Sequence, residues 1–451
     1  MANITQYIIK LLGGSGRTFQ MRTNILVSAI MKVAGLAISL LMVPLTLDYV
    51  SKAEFGIWMT ISTILYWFAF LDVGLGNGMR NYMAVSVSEG DMPKAGRYFT
   101  TTMLLLSMIF GAAYLVAVLL LPFVNLSQLL NTYILPESYL KKVMLVALTF
   151  TLLLFVLKNI GYVYAAMQRY AVTEVLNLLG HLLGFIAIII LTYTTQGSLF
   201  YLVASLTAAP VIVFALSAIP TFHRYPDMLP SRSKVDLTLR RQVIGKGLGF
   251  FGIQITSCLV IFGSSNVFIS HFCGPEAVTV YNLSFKIFNL LIVGYTIFIS
   301  PLWNGYTDAS VKGDWFWIER TFYRSLKVWG LFVVVGVVML LCSGPFFQLW
   351  IGDKVQIPLS VSVCTLLYVL LFNLNNCATY LINGLNVIRV QIISSVVTTV
   401  LYVGVVCLMG HSLTLEGMIL CLAGSYALMS AVHLYQCHLI LRRRAKGIWY
   451  K

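Results

Sequence analysis

Apolar stretches of about 20 residues recur along the whole chain between short polar connections, each long enough for a helix that crosses the hydrocarbon of a bilayer. Bounded by charge, Pro or Gly clusters, twelve such stretches are read: near 24–47, 55–79, 98–122, 142–167, 172–194 and 199–220, then near 243–271, 277–303, 322–343, 358–384, 390–410 and 414–440. The first follows Lys10, Arg17 and Arg22, outruns a signal-peptide core and carries no small-residue cleavage site, so it reads as a retained span. The pattern predicts an all-α polytopic membrane protein of about twelve transmembrane helices in two six-helix bundles.

The longest polar stretch, His223 to Gln242, contains Pro226 and Pro230 with several basic residues. It divides the chain into an N-terminal bundle over 1–222, a cytoplasmic linker over 223–242 and a C-terminal bundle over 243–451. The halves repeat one another. A shift of 223 residues brings Asn81, Gly90, Asp91, Arg97 and Phe99 onto Asn304, Gly313, Asp314, Arg320 and Phe322. A shift of 217 brings Leu153, Leu154, Phe155, Leu157 and Asn159 onto Leu370, Leu371, Phe372, Leu374 and Asn376. The polar identities carry more weight than the apolar ones. Six helices per half make both halves enter from the same side, a parallel repeat with a pseudo-two-fold axis along the membrane normal.

Composition narrows the function. Of 451 residues 59% are hydrophobic and 10% charged, with a mean hydropathy of +0.88. A soluble domain carries about 25% charged residues, so an ordinary soluble enzyme is excluded. The net charge of +15 reads as a topology signal rather than a nucleic-acid footprint. With the N-terminus inside, 23 of the 30 basic residues fall on the inner side, and only Lys52, Lys141, Lys142 and Lys354 on the outer. Cytoplasmic loops retain Lys and Arg, so both termini and the linker are expected in the cytoplasm. The run Arg442 to Lys446 reads as a stop and a lipid-headgroup contact. The eight cysteines lie in or beside apolar segments without a CxxC pair or ligand spacing, and read as apolar fillers. No metal or cofactor is expected: LLGGSGRTF and IGKGLGFFG lack the phosphate-cradling order Gly-x4-Gly-Lys-Ser/Thr.

Charge inside a bilayer costs about 2.5 to 3.5 kcal/mol on insertion scales and should face protein or water. Lys32 shares a face with Ser28, Gly35 and Ser39; Lys286 is flanked by Asn282 and Asn289; Lys158 lies a turn from Gly161 and Tyr162. All three are candidates for one aqueous cavity, or for snorkelling and pairing. In FLDVGLGNGMR, Asp72, Gly76 and Arg80 recur every fourth residue and are expected on one helical face, with Asp72 the only acid at comparable depth, suited to binding a coupling ion or to pairing a cation. Asn373, Asn376, Tyr380 and Asn383 form a polar stripe fit for a sugar or a water column, or for interhelical hydrogen bonding. His181, His271 and His433 have no ligand spacing and read as packing residues; Glu174 beside Arg169 reads as an interfacial pair.

The string VPLTLDYVSKAEFGIWMTISTILYWFAFLDVGLGNGMRNYMA, Val43 to Ala84, resembles the start of the Wzx-type flippases of O-antigen and other polysaccharides, members of the superfamily that includes multidrug and toxin extruders. The resemblance rests on the Tyr49 to Gly56 turn, Trp58 and the Asp-x-Gly-Leu-Gly pattern of Asp72 to Gly76. It implies two six-helix bundles alternating between inward-open and outward-open forms in the bacterial inner membrane. The implied passenger is a glycan on undecaprenyl pyrophosphate, with membrane lipids, H+ or Na+ and the polysaccharide polymerase machinery as partners. It also implies cavity cations that hold pyrophosphate, a role open to Lys32 and Lys286. Two other readings stay open. A drug or metabolite exporter of the same superfamily would carry net acid in its cavity. A membrane-embedded glycosyltransferase or polymerase would need an acid/base pair or metal-binding carboxylates and an extended outer loop.

Overall fold

A computed structural model of the chain describes residues 16–72, 75–239 and 260–450. All regular elements among these residues are helical. In chain order they are α1 (Gly16–Tyr49), α2 (Lys52–Trp67), α3 (Leu75–Ser88), α4 (Met92–Leu120), α5 (Glu137–Leu157), α6 (Ile160–Ala166), α7 (Tyr170–Thr194) and α8 (Leu199–Arg224). They continue as α9 (Val260–Cys273), α10 (Pro275–Val311), α11 (Trp315–Leu341), α12 (Leu359–Gly384), α13 (Arg389–Met409) and α14 (Leu415–Leu441). Short helical turns fill several connections. Among the described residues, ten helices are long and apolar enough to cross a membrane.

The two stretches missing from that ten have separate causes. The one near 243–271 is described only from Val260, and its earlier part lies outside the described residues. The one near 55–79 is not a continuous helix. It runs as α2, passes into a 3-10 helix over Phe68–Asp72 and restarts as α3 at Leu75. The composition explains the break: glycine is the weakest helix former after proline, and an Asp at a helix start satisfies backbone N–H groups that have no partner. Asp72 Oδ1 accepts the N–H of Gly76 at 3.0 Å. Asp72, Gly76 and Arg80 therefore do not line one face of a single helix, as their spacing predicts; Asp72 ends one helical segment and caps the next.

The repeat is legible in the turns. Gly90 and Gly313 both adopt positive φ, +80° and +73°, a region that glycine enters without the Cβ penalty. Each closes the helix before it, and the aspartate that follows caps the helix after it: Asp91 accepts from Lys94 N at 2.9 Å and Asp314 from Trp317 N at 3.0 Å. The matched glycine–aspartate pairs are thus the same stop-and-start signal used twice.

The contacts divide the chain into two compact units, one of Met1–Ser51, Leu65–Leu126 and Leu135–Gly252, the other of Lys52–Ile64, Ser127–Ile134 and Ile253–Lys451. In the first unit α1 packs on α7, α7 on α8, α8 on α5, and α3 on α4 and α6. The linker, described as far as Leu239, continues from α8 in 3-10 turns. It is tied to α4 by the Asp236 N–H donated to Thr101 Oγ1 at 3.0 Å, and Lys234 Nζ closes its turn on the Asp227 carbonyl at 2.7 Å. The Asp236 carboxyl sits below the usual carboxylate range because the hydroxyl and N–H of Thr238 donate to it.

The second unit is built round α12, which packs on α10 and α14. Its core joins Tyr295, Ile299, Tyr306, Phe322, Cys377 and Leu381. The opening turns of α2 belong here. Thr279 Oγ1 donates to the Lys52 carbonyl at 2.6 Å, Lys52 Nζ pairs with Glu276 at 3.0 Å, and Gly56 lies against the Pro275 carbonyl. On α11, Leu331, Val334, Val338 and Leu341 form an exposed apolar row at helical spacing, the surface a lipid-facing helix presents and a soluble monomer avoids.

Candidate functional site

In the first unit, polar groups gather where two helices break. α3 begins after Asp72, and α6 begins after the interruption at Lys158 and Asn159; α3 and α6 pack on one another. The absence of a side chain at Gly76 permits this approach. A Cβ there would stand 2.5 Å from the Tyr162 ring, 2.9 Å from Asn159 Oδ1 and 3.2 Å from Asp72 Oδ2. Asn159 is 1% exposed. Its amide nitrogen donates to the carbonyls of Phe155 and Val156 at 2.7 and 3.0 Å, while Oδ1 has no partner among the described residues. A buried acceptor without a donor costs free energy, and Asn159 Oδ1 and Asp72 Oδ2 both lie beside Gly76.

Lys158 stands over the Phe155 ring, 4.5 Å from its centroid, and is within electrostatic reach of Asp72. Arg80, two turns along α3 from the break, donates to Asn81 Oδ1 at 3.4 Å. Lys32, midway along α1, has a partner that its sequence position does not reveal: Glu174, at the start of α7, approaches to 3.4 Å. Asp72 is therefore not the only acid available to the intramembrane cations. The nearness of Glu174 and Arg169 in the chain predicts an interfacial pair; the packing of α1 on α7 brings Lys32 to Glu174. The Lys32 side chain remains 67% exposed, so the pair does not bury its charge.

In the second unit, Lys286 lies on α10 between Asn282 and Asn289. Asn282 exchanges amide hydrogen bonds with Asn266 of α9, donating at 2.9 Å, and Asn266 also donates to Thr63 Oγ1 at 2.9 Å. This is interhelical bonding of the kind amides provide in membranes. On α12, Asn373 is buried and donates to the Leu291 carbonyl at 3.2 Å, leaving Oδ1 unpartnered among the described residues. Asn376 is half-buried, and Tyr380 meets Trp303 edge to face, centroids 5.9 Å apart. The stripe thus divides: Asn373 and Tyr380 pack between helices, and Asn376 retains partial exposure.

Two polar features escaped the sequence reading. The Asn159 amide, matched to Asn376 by the repeat, carried the signal of an asparagine inside an apolar run. The second is a buried cluster of Asn375, Ser394 and His433 from three helices, for which no chain spacing gave a sign. Among the described residues no group of three His, Cys, Asp or Glu comes together as a metal site.

The fold is that of a multi-pass transporter. It is similar to a multidrug resistance MATE family transporter of the MOP superfamily in an inward-facing conformation, with a TM-score of 0.73 at 14% identity, covering 92% of this chain and 98% of that one. An outward-facing structure of such a transporter gives 0.61 at 15% identity, over 97% and 98% of the two chains. In sequence, the chain is 21% identical over 359 residues to a Salmonella typhi protein named "Putative O-antigen transporter", covering 75% of this chain and 77% of the relative. No protein-family profile matches the chain. These relatives are transporters rather than enzymes, and the chain shares their fold.

Proposed function

We propose that the protein is a flippase that carries an undecaprenyl-pyrophosphate-linked oligosaccharide, an O-antigen or similar repeat unit, from the cytoplasmic to the periplasmic leaflet of the bacterial inner membrane by alternating access. The observation that supports this best is the sign of the charge at membrane depth. Lys32, Lys158 and Lys286 outnumber the two carboxylates Asp72 and Glu174, an excess that suits an anionic passenger and opposes a cationic drug. A pyrophosphate gains from several charge-assisted donors in a partly dry setting. Lys32, Lys158 and Lys286 are the proposed donors, with Lys32 exchanging Glu174 for phosphate. Asn289 and Asn376, both partly exposed, are the proposed glycan-side polar groups, with Asn282, Asn373 and Tyr380 behind them between the helices. Asp72, with Asn159 Oδ1 beside it, is the proposed site of the coupling H+ or Na+, Arg80 lying two turns away.

The test is rescue of O-antigen display in a strain that lacks its own flippase. Lys286→Ala should reduce surface glycan at least tenfold at normal protein abundance, and Lys286→Arg should retain part of it. Full display by the alanine variant would remove Lys286 from the path. Export of a cationic dye by reconstituted protein that leaves the lipid-linked glycan unmoved would replace the flippase with the exporter reading.

Direction depends on topology. With both termini and the linker cytoplasmic, alkaline phosphatase fused after Lys234 should be inactive and fused after Lys354 active. The reverse pattern would invert the protein in the membrane.

A further inference from the structure

The buried cluster on α12, α13 and α14 has no part in the reading above. His433, on α14, is 0% exposed, and Asn375 and Ser394 are 6% and 8% exposed. Nδ1 of His433 is 2.8 Å from Asn375 Oδ1, and Nε2 is 2.8 Å from Ser394 Oγ. Ser394 Oγ also lies 3.0 Å from the Gln391 carbonyl. Counting hydrogens shows what this arrangement is for. Asn375 Oδ1 can only accept, so Nδ1 carries a hydrogen. Ser394 has one hydrogen and two acceptors within reach, Nε2 and the Gln391 carbonyl. With the ring neutral, the hydroxyl donates to Nε2. With the ring protonated, Nε2–H donates to Ser394 Oγ, and the hydroxyl turns to the Gln391 carbonyl. Both charge states are fully hydrogen-bonded without any atom leaving its place, and the switch needs only a hydroxyl rotation.

We propose that His433 is a proton-binding site of the second unit and that the proton it takes is one that drives transport; the second clause rests on the transporter reading above, the first does not. Gln391 lies half-buried two residues after Arg389, which opens α13, so its carbonyl, which only accepts, holds the Ser394 hydroxyl near that helix end. His433 stands eight residues from the end of α14, about 12 Å at 1.5 Å per residue, deep enough that a proton bound there has entered the membrane.

Other titratable groups on the surrounding helices are engaged elsewhere or point outward. Cys377 of α12 is 3.0 Å from Ser325, and Cys437 of α14 donates to the Ala378 carbonyl. Tyr426 packs on Phe372 and Tyr368, while Tyr402 of α13 packs on Phe268. From α9, His271 meets the Phe272 ring and Cys273 the Leu413 carbonyl. Arg389, Arg324 and Lys327 are exposed, as are Tyr435, His438 and Tyr450. Among the described residues no charged side chain hydrogen-bonds or pairs with the cluster.

Full-length protein with 15N-labelled histidine in lipid bilayers tests the site without any substrate. The ring signal that His433→Gln removes should be the Nδ1–H tautomer at pH 8, become imidazolium on acidification, and in Ser394→Ala reach its midpoint at lower pH, at about tenfold higher proton concentration. A ring that stays neutral down to the lowest pH at which the helices persist overturns the proposal. A neutral Nε2–H tautomer does so as well, because it means that Asn375 presents its amide nitrogen and the hydrogen count fails. Coupling is read in everted vesicles holding a pH dye and an imposed proton gradient, with added undecaprenyl-pyrophosphate oligosaccharide as probe. Glycan should speed decay of the gradient in the wild type and not in His433→Gln. Decay of wild-type rate in that variant overturns the coupling role. A titrating ring with no glycan-dependent decay in the wild type leaves the proton site standing and refutes glycan coupling.

Discussion

Gly56→Ala is expected to cost about 3 kcal/mol or more and to lower the folded yield of the protein at least tenfold. A Cβ at this position would stand 1.7 Å from the Pro275 carbonyl oxygen and 2.6 Å from its carbon. Overpacking with side chains on both sides typically costs about 1 to 3 kcal/mol, because rotamers adjust. Here the obstacle is backbone at the first turn of α10, so relief requires α2 to move bodily. That motion would also break the hydrogen bond from Thr279 to the Lys52 carbonyl. The intrinsic gain of alanine over glycine in a helix, about 1 kcal/mol, does not offset this. Gly111→Ala supplies the control: on α4, nothing lies within 4 Å of its added Cβ, so that variant should be neutral or slightly stabilised. Detergent-solubilised, monodisperse protein measured by size-exclusion chromatography separates the two. Equal yields would mean that α2 does not lie against Pro275 in the membrane.

Asp72→Asn should leave protein abundance near normal and lower gradient-driven transport at least tenfold. The carboxamide keeps an oxygen for the Gly76 N–H, so the start of α3 stays capped, and the charge that would hold a proton or Na+ is gone. Asp72→Ala removes both functions. Loss of a capping side chain costs about 1 kcal/mol, so the alanine variant should show the same transport defect with reduced thermal stability. Transport into vesicles under imposed pH and Na+ gradients is the readout. If the asparagine variant keeps the gradient dependence of the wild type, Asp72 serves only as a cap and the coupling ion binds elsewhere.

The ten long spans and the glycine–aspartate turns were legible because each depends on local signals: an apolar run of membrane length, or a residue that permits a left-handed turn beside one that caps. The break at Asp72 could have been read from the same chemistry, since aspartate beside closely spaced glycines opposes a continuous helix, but the four-residue spacing of Asp72, Gly76 and Arg80 imitates a face. Pairings across helices were not legible. Lys32 meets Glu174 through the packing of α1 on α7, 142 positions away in the chain. His433 meets Asn375 and Ser394 through the joint packing of three helices. A lone histidine in an apolar run is the same string of letters whether it fills space or binds a proton, and only the count of donors and acceptors around it tells them apart.

The placement of Lys52–Ile64 with the C-terminal helices bears on how this chain can be cut. A fragment starting at the linker would carry every helix from α9 onward but lack the strip of α2 that covers Pro275, Thr279 and Asn266. Its companion fragment would keep those same turns of α2 but deprive them of their seat. The polar linker is the easiest place to sever the chain, yet neither piece released there is self-contained. Made separately, the N-terminal piece would present the Gly56 face of α2 and the C-terminal piece the bare Pro275–Thr279 turn, and reassembly would have to rebuild the Lys52–Thr279 bond before either piece regained its packing.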